Sequence, residues 1–153
     1  MLRLEKNKFK FNKNDIPLTY TKYKEYENKS FSLTIYDSYE NVFFCRLYYN
    51  KKLKEKLGIN IKYELCDVYL YDKYRGKTLD GIKYSKICIN MINSYLEKNN
   101  IKNLILWVEK DNAKAIKRYT DIGFIKVVDE KIINFYKKKN LNIEVYWKKK
   151  LKI

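Results

Sequence analysis

Residues 64–124, ELCDVYLYDKYRGKTLDGIKYSKICINMINSYLEKNNIKNLILWVEKDNAKAIKRYTDIGF, carry the most regular succession of elements in the chain. Leu65–Tyr71 is rich in β-formers and ends at a turn, Asp72-Lys73. Tyr74-Arg75-Gly76-Lys77 is a basic loop with one glycine. From Leu79 to Leu96 the larger apolar residues recur mostly at helical spacing, which predicts a long helix ended by Lys98-Asn99-Asn100. Leu104–Val108 is a short continuous apolar run and reads as a buried strand. Asp111 or Asn112 is a good cap for a second helix, and Gly123 a stop for it. A loop between strand and helix presents unpaired backbone N–H groups, and the helix dipole adds positive potential. With Arg75 and Lys77 beside it, this loop suits an anion such as a diphosphate.

The second half narrows the reading. Asn112-Ala113-Lys114-Ala115-Ile116-Lys117-Arg118-Tyr119-Thr120-Asp121-Ile122-Gly123-Phe124 resembles the N-x-x-A-I-x-x-Y-x-x-x-G-F signature of the GNAT superfamily of acyl-CoA N-acetyltransferases. Leu65, Asp67, Val68, Leu70, Tyr74, Arg75 and Gly76 are similar to that family's strand and the start of its coenzyme A loop. The resemblance covers residues 64–124 and extends loosely to Ile143–Trp147; the N-terminal third carries no matching motif. The family loop usually runs R-x-x-G-x-G or -A. Here Thr78 and Asp80 stand at the small-residue positions, and Gly81 sits one place late. Asp80 could instead cap the helix.

The resemblance implies a mixed α+β domain. Its centre is a mostly antiparallel, twisted sheet with a splayed parallel pair, flanked by helices. It also implies direct transfer of an acetyl group from acetyl-CoA, the acyl-donor substrate, to a primary amine. The acceptor is a small amine or polyamine first, a protein amine second. An alkylamine has a pKa near ~10 and must lose a proton to attack. With no histidine in the chain, the base is a carboxylate or an ordered water. Glu64 lies 11 residues before Arg75, where the histone-modifying branch keeps its base; Asp67 precedes Val68-Tyr69-Leu70, where the polyamine branch keeps acidic residues. Opposite parity on an ideal strand puts the two on opposite faces, and Asp67 is the preferred one. Either could equally be a hydrogen-bonded strand carboxylate. The resemblance gives the oxyanion contact to a backbone N–H at Leu70 or its neighbour. Tyr119 takes the family's general-acid position, with core packing as the alternative. Val68, Tyr69 and Leu70 would pair with the pantetheine arm. Arg75, Gly76, Lys77, Thr78, Leu79 and Asp80 would take the diphosphate, and Asn112 with Ala115 would hold the arm.

Composition bounds the rest. The chain has 153 residues, enough for one core, and 46% are apolar. No apolar run approaches the roughly 18 residues of a membrane span, and Met1–Lys6 lacks the apolar centre of a secretory leader. Cys45, Cys66 and Cys88 show no paired spacing, which suits reduced thiols in an intracellular, cytoplasmic protein. Cys66 alternates with Val68 and reads as core, not as a nucleophile. The absence of histidine argues against a metal site.

The net charge of +16 sits mainly in the flanks. Residues 1–62 hold 14 Lys+Arg against 7 Asp+Glu, residues 63–130 hold 12 against 10, and residues 131–153 hold 8 against 1. Only Arg3, Arg46, Arg75 and Arg118 are arginines, whereas specific nucleic-acid contact leans on arginine forks. The wealth of Lys, Asn, Ile and Tyr suits an AT-rich coding sequence. Lys137-Lys138-Lys139 and Lys148-Lys149-Lys150 read first as solvated ends. A second reading remains: a GNAT-fold binding module whose basic flanks meet nucleic acid or an acidic partner. A monomer or homodimer is expected.

Outside residues 64–124, Leu2–Leu4 and Lys8–Phe11 alternate as a first strand, and Asn12–Pro17 is a turn. Tyr20–Lys29 has no clear class. Phe31–Tyr36 and Val42–Tyr49 form a hairpin across Asp37–Asn41. Lys51–Leu57 is a short helix or charged loop closed by Gly58. Ile125–Val128 continues a strand, Asp129–Asn142 is a loop or short helix, and Ile143–Lys150 is the last strand. No repeat, linker or second domain is visible.

Overall fold

A computed structural model describes residues 1–8, 29–138 and 141–148. The expectations for Phe9–Phe11, Asn12–Pro17, most of Tyr20–Lys29, Lys139 and Lys149-Lys150 lie outside these residues. The fold is mixed α+β. Along its seven-stranded sheet the hydrogen-bonding order is β1-β2-β3-β4-β7-β9-β8. These strands are β1 (Leu2–Lys8), β2 (Phe31–Asp37), β3 (Glu40–Tyr49), β4 (Tyr63–Leu70), β7 (Leu104–Glu109), β8 (Ile125–Lys126) and β9 (Ile143–Lys148). The β4–β7 pair is parallel; β1–β2, β2–β3, β7–β9 and β8–β9 are antiparallel. The described helices are α1 (Lys52–Leu57), α2 (Tyr84–Lys98), α3 (Ala113–Asp121) and α4 (Glu130–Lys137). A separate two-stranded hairpin joins β5 (Thr78–Leu79) to β6 (Ile82–Lys83).

The chain divides into two compact units, Met1–Tyr49 with Leu65–Asn100, and Asn50–Glu64 with Ile101–Ile153. In the first, the β2–β3 hairpin turns at Ser38, whose φ is +52°. Register places Phe31 opposite Leu47, Leu33 opposite Cys45 and Ile35 opposite Phe43, all buried. The alternate positions Ser32, Thr34, Phe44 and Arg46 share the other face, because side chains along a strand alternate. Helix α2 buries Cys88, Ile89, Ile92 and Leu96, one stripe at helical spacing.

In the second unit one core gathers Leu53 of α1, Ile61, Ile105 of β7, Val127, Ile132 and Tyr136 of α4, and Ile143 and Val145 of β9. Gly58 ends α1 in the left-handed region, with φ +67°, where a residue without Cβ carries no steric penalty. The β4–β7 parallel register covers Tyr63↔Leu104 and Glu64↔Ile105.

One expectation is corrected. Residues 79–83 are not helical. Asp80 and Gly81 have φ +52° and +81°, the two positive values of a type I′ turn, and they fold Thr78–Lys83 into a hairpin. The Tyr84 N–H continues the ladder to the Lys77 carbonyl at 3.1 Å, so α2 begins only at Tyr84. Asp80 is therefore not the helix cap: Lys83 occupies that place and its side chain makes no capping bond. Boundaries shift elsewhere. Strand β8 is two residues long, and Asp129–Asn142 contains α4, whose Asp129 side chain accepts from the Lys131 N–H at 2.9 Å.

Candidate active site

The first unit carries the proposed coenzyme strand and loop. At Asp67 the backbone of β4 enters the left-handed region, φ +51°, which interrupts strand alternation and removes the basis for placing Glu64 and Asp67 on opposite faces by parity. Asp residues tolerate this region better than most. The Asp67 carboxylate is reached across from β3: the Arg46 Nη1 donates to its Oδ2 at 3.0 Å. The Arg46 guanidinium carbon also lies 5.2 Å from the Phe44 ring centre. Val68 is half-buried, Tyr69 exposed and Leu70 buried.

After Leu70 the chain makes a single 3₁₀ turn, Asp72–Tyr74, and several contacts fix it. The Tyr71 N–H donates to the Val42 carbonyl at 3.0 Å. Tyr74 and Lys73 both donate to the Glu40 carboxylate, at 2.8 Å for the phenol and 2.6 Å for the shorter ammonium contact. Those bonds, Lys73 first and then Tyr74, hold the Glu40 carboxyl below its usual range. In return the bond to Glu40, with burial and the adjacent charge, pushes the Tyr74 phenol up to about 12.

Arg75 folds back on the end of β4. Its Nε donates to the Leu70 carbonyl at 2.9 Å, its Nη1 meets Asp72 at 3.0 Å, and its guanidinium carbon lies 5.0 Å from the Tyr69 ring centre. The N–H groups of Tyr74, Arg75, Lys77 and Tyr84 are all spent on carbonyls of this segment, those of Tyr71, Asp72, Tyr74 and Lys77. Gly76 turns with φ +70°, and Lys77, Thr78, Leu79 and Asp80 are exposed. The basic loop is thus a fixed turn followed by a hairpin, not an open run of amides leading into a helix.

The second unit carries α3. Asn112 caps it, its side-chain oxygen accepting from the Ala115 N–H at 3.2 Å. Tyr119 is half-buried, and its ring meets the buried Phe124 edge-on at 5.8 Å. Its carbonyl accepts from the Phe124 N–H at 3.0 Å, closing the helix where Gly123 turns with φ +101°. Glu64 lies in this unit too. Tyr136 Oη donates to its Oε1 at 2.5 Å and Asn50 Nδ2 to the same oxygen at 2.9 Å.

The three cysteines are not joined in disulfides; Cys45 and Cys88 are buried, and Cys66 is half-buried rather than fully in the core. Burial pushes the Cys45 and Cys88 thiols up to about 12, far from nucleophilic form. Among the described residues no group of three or more Cys, Asp or Glu is placed to hold a metal, and no helix is long and apolar enough to cross a membrane. Two features escaped sequence reasoning. The Arg46–Asp67 pair joins positions 21 apart and left no local signal. The Asp80-Gly81 turn did leave one, an Asp-Gly between apolar residues.

No family model and no curated protein matches the chain. Solved structures do. A GNAT family acetyltransferase from Elizabethkingia anophelis, with acetyl-CoA bound, superposes with a TM-score of 0.60 at 10% identity over 97% of this chain and 98% of its own. Campylobacter jejuni N-acetyltransferase PseH, in complex with acetyl coenzyme A, gives 0.56 at 15% identity over 99% and 100%. A Bacillus anthracis protein provisionally assigned as a streptothricin acetyltransferase, also with acetyl coenzyme A, gives 0.50 at 21% identity; it is matched by 82% of this chain, which spans 65% of that protein's length. The chain has the fold of the GNAT acyl-CoA N-acetyltransferases.

Proposed function

We propose that this protein transfers the acetyl group of acetyl-CoA to a primary amine. What supports it most is the likeness over almost the whole chain to proteins solved with acetyl-CoA bound. The Asn112-to-Phe124 signature, folded as a capped helix with Tyr119 on it, adds to this. In this reading a neutral amine attacks the thioester carbonyl, the N–C bond forms and the C–S bond breaks. The amine proton passes to Asp67 or an ordered water, and the Tyr119 hydroxyl protonates the leaving thiolate. Glu64, already the acceptor of two bonds, serves the architecture of its unit. Val68 to Leu70 align the pantetheine arm, and Arg75 and Lys77 supply charge for the diphosphate by their side chains.

A second reading, a binding module without catalysis, has one observation in its favour: the backbone amides of Tyr74, Arg75 and Lys77 in the basic turn are spent internally. A thiol-release assay with acetyl-CoA and a panel of amines separates the two. On the enzymatic reading Tyr119→Phe lowers kcat by about a hundredfold, the lower range for a general acid, while acetyl-CoA affinity stays within twofold of wild type. Equal turnover in that variant removes Tyr119 from the mechanism. No turnover with any amine by the wild type favours the module.

A further inference from the structure

The identity of the amine rests on the reading above, and one feature of the first unit bears on it. We propose that the Arg46–Asp67 pair recognises the acceptor, and that the acceptor is an amino acid, an amine with a carboxylate on the amine-bearing carbon, rather than a polyamine.

Three observations carry this. The pair is partly open to solvent, its side chains 32% and 56% exposed; the Arg46 Nε is itself buried, so a ligand can reach the Asp67 carboxylate and the far end of the guanidinium. Ion pairs this exposed contribute little to stability. Yet here the carboxylate stands on a left-handed backbone, a conformation that structures retain mainly where it serves a purpose. Asp67 also directly precedes Val68–Leu70, the stretch proposed for the pantetheine arm, so the pair stands beside the proposed acyl donor.

Second, the cation is an arginine. The chain has four arginines among 34 basic residues, so lysine is its default cation. A guanidinium is a planar fork that takes a carboxylate through two parallel bonds, which an ammonium cannot do. The Phe44 ring, 5.2 Å away on the same strand face, orients that plane, and Asp67 holds one edge.

Third, the charges match. A cation and an anion 3.0 Å apart are the complement of a zwitterion, with the amine toward Asp67 and the carboxylate toward Arg46. A polyamine bears two or more positive charges and is repelled by a chain of +16. An amino acid with a neutral side chain has no net charge and is not repelled.

The test compares amino acids with their decarboxylated amines, molecules that differ only in the carboxylate, at saturating acetyl-CoA. The expected kcat/KM favours the amino acid by about tenfold or more, the scale of a charge-assisted bidentate contact. In Arg46→Met that preference falls to about onefold, with acetyl-CoA affinity near wild type. Arg46→Lys, which keeps the charge and loses the fork, lies between them, and it carries the test if the methionine variant does not fold. Preference of the wild type for the decarboxylated amine overturns the proposal. So does an unchanged preference in the Arg46 variants, or acetylation of neither partner by a protein that binds acetyl-CoA. Failure to bind acetyl-CoA at all overturns the acetyltransferase reading itself, and this proposal with it.

Discussion

Glu64 and Asp67 stand three residues apart on one strand and make different contacts. Glu64 accepts from Tyr136 and Asn50, and Tyr136 is 4% exposed, so that bond is shielded from water. Hydrogen bonds to charged groups contribute about 1.5–3 kcal/mol. Tyr136→Phe is therefore expected to lower unfolding free energy by about that amount, measured by denaturant titration, while acetyl transfer stays within twofold of wild type. A loss of turnover without a loss of stability would return Glu64 to the candidate bases.

Glu40 gives a pH test. Its folded pKa is lowered, chiefly by Lys73 and then Tyr74, so its contribution is present above the ordinary carboxyl value and lost as pH falls through the lowered one. The melting-temperature gap between wild type and Glu40→Gln should be full at neutral pH, begin to narrow only below the ordinary carboxyl range, and close as pH falls through the lowered value. Tyr74 has the opposite sign: its contribution is present below about pH 10 and lost as pH rises through about 12. The contacts behind both predictions were hidden in the sequence. Glu40–Tyr74 and Glu64–Tyr136 join positions 34 and 72 apart, and nothing local marks them. Asn112 and Tyr119 were legible because their spacing lies within one short helix.

The hairpin Thr78–Lys83 shows where periodicity misleads. Leu79 and Ile82 are three apart, as on a helix, but that spacing also makes them a directly opposed pair in a two-residue hairpin. The Asp-Gly between them decides the matter, because both central residues of a type I′ turn need positive φ. Nothing lies within 4 Å of a Cβ built at Gly81, so only the backbone is felt there. Gly81→Ala should cost about 1 kcal/mol in the left-handed region, measured by denaturant unfolding. In a helix the same change would stabilise by about 1 kcal/mol. The sign alone separates the two structures. Other elements were legible from composition: the apolar run at Leu104–Val108 became β7, and Gly58 closed a short helix. Strand β8 shrank to two residues; Val128, counted as its end, is 82% exposed.

At the scale of the molecule, the charge of +16 makes any polyanion attractive, and acetyl-CoA is one. Attraction by field alone weakens as salt shortens the Debye length to about 8 Å at 0.15 M. A shaped site keeps its hydrogen bonds and apolar contacts. The fold was legible because one long stretch held both a strand–turn–helix and a spaced signature; the use of the charge was not, because composition does not say what it meets. The most direct measurement is calorimetric titration of the whole chain with acetyl-CoA at low and physiological salt, beside a nucleic-acid oligomer. The acetyltransferase account predicts one-to-one, micromolar binding of acetyl-CoA that persists at the higher salt. Acetyl-CoA binding that is absent, or lost with salt while the oligomer binds, would contradict it.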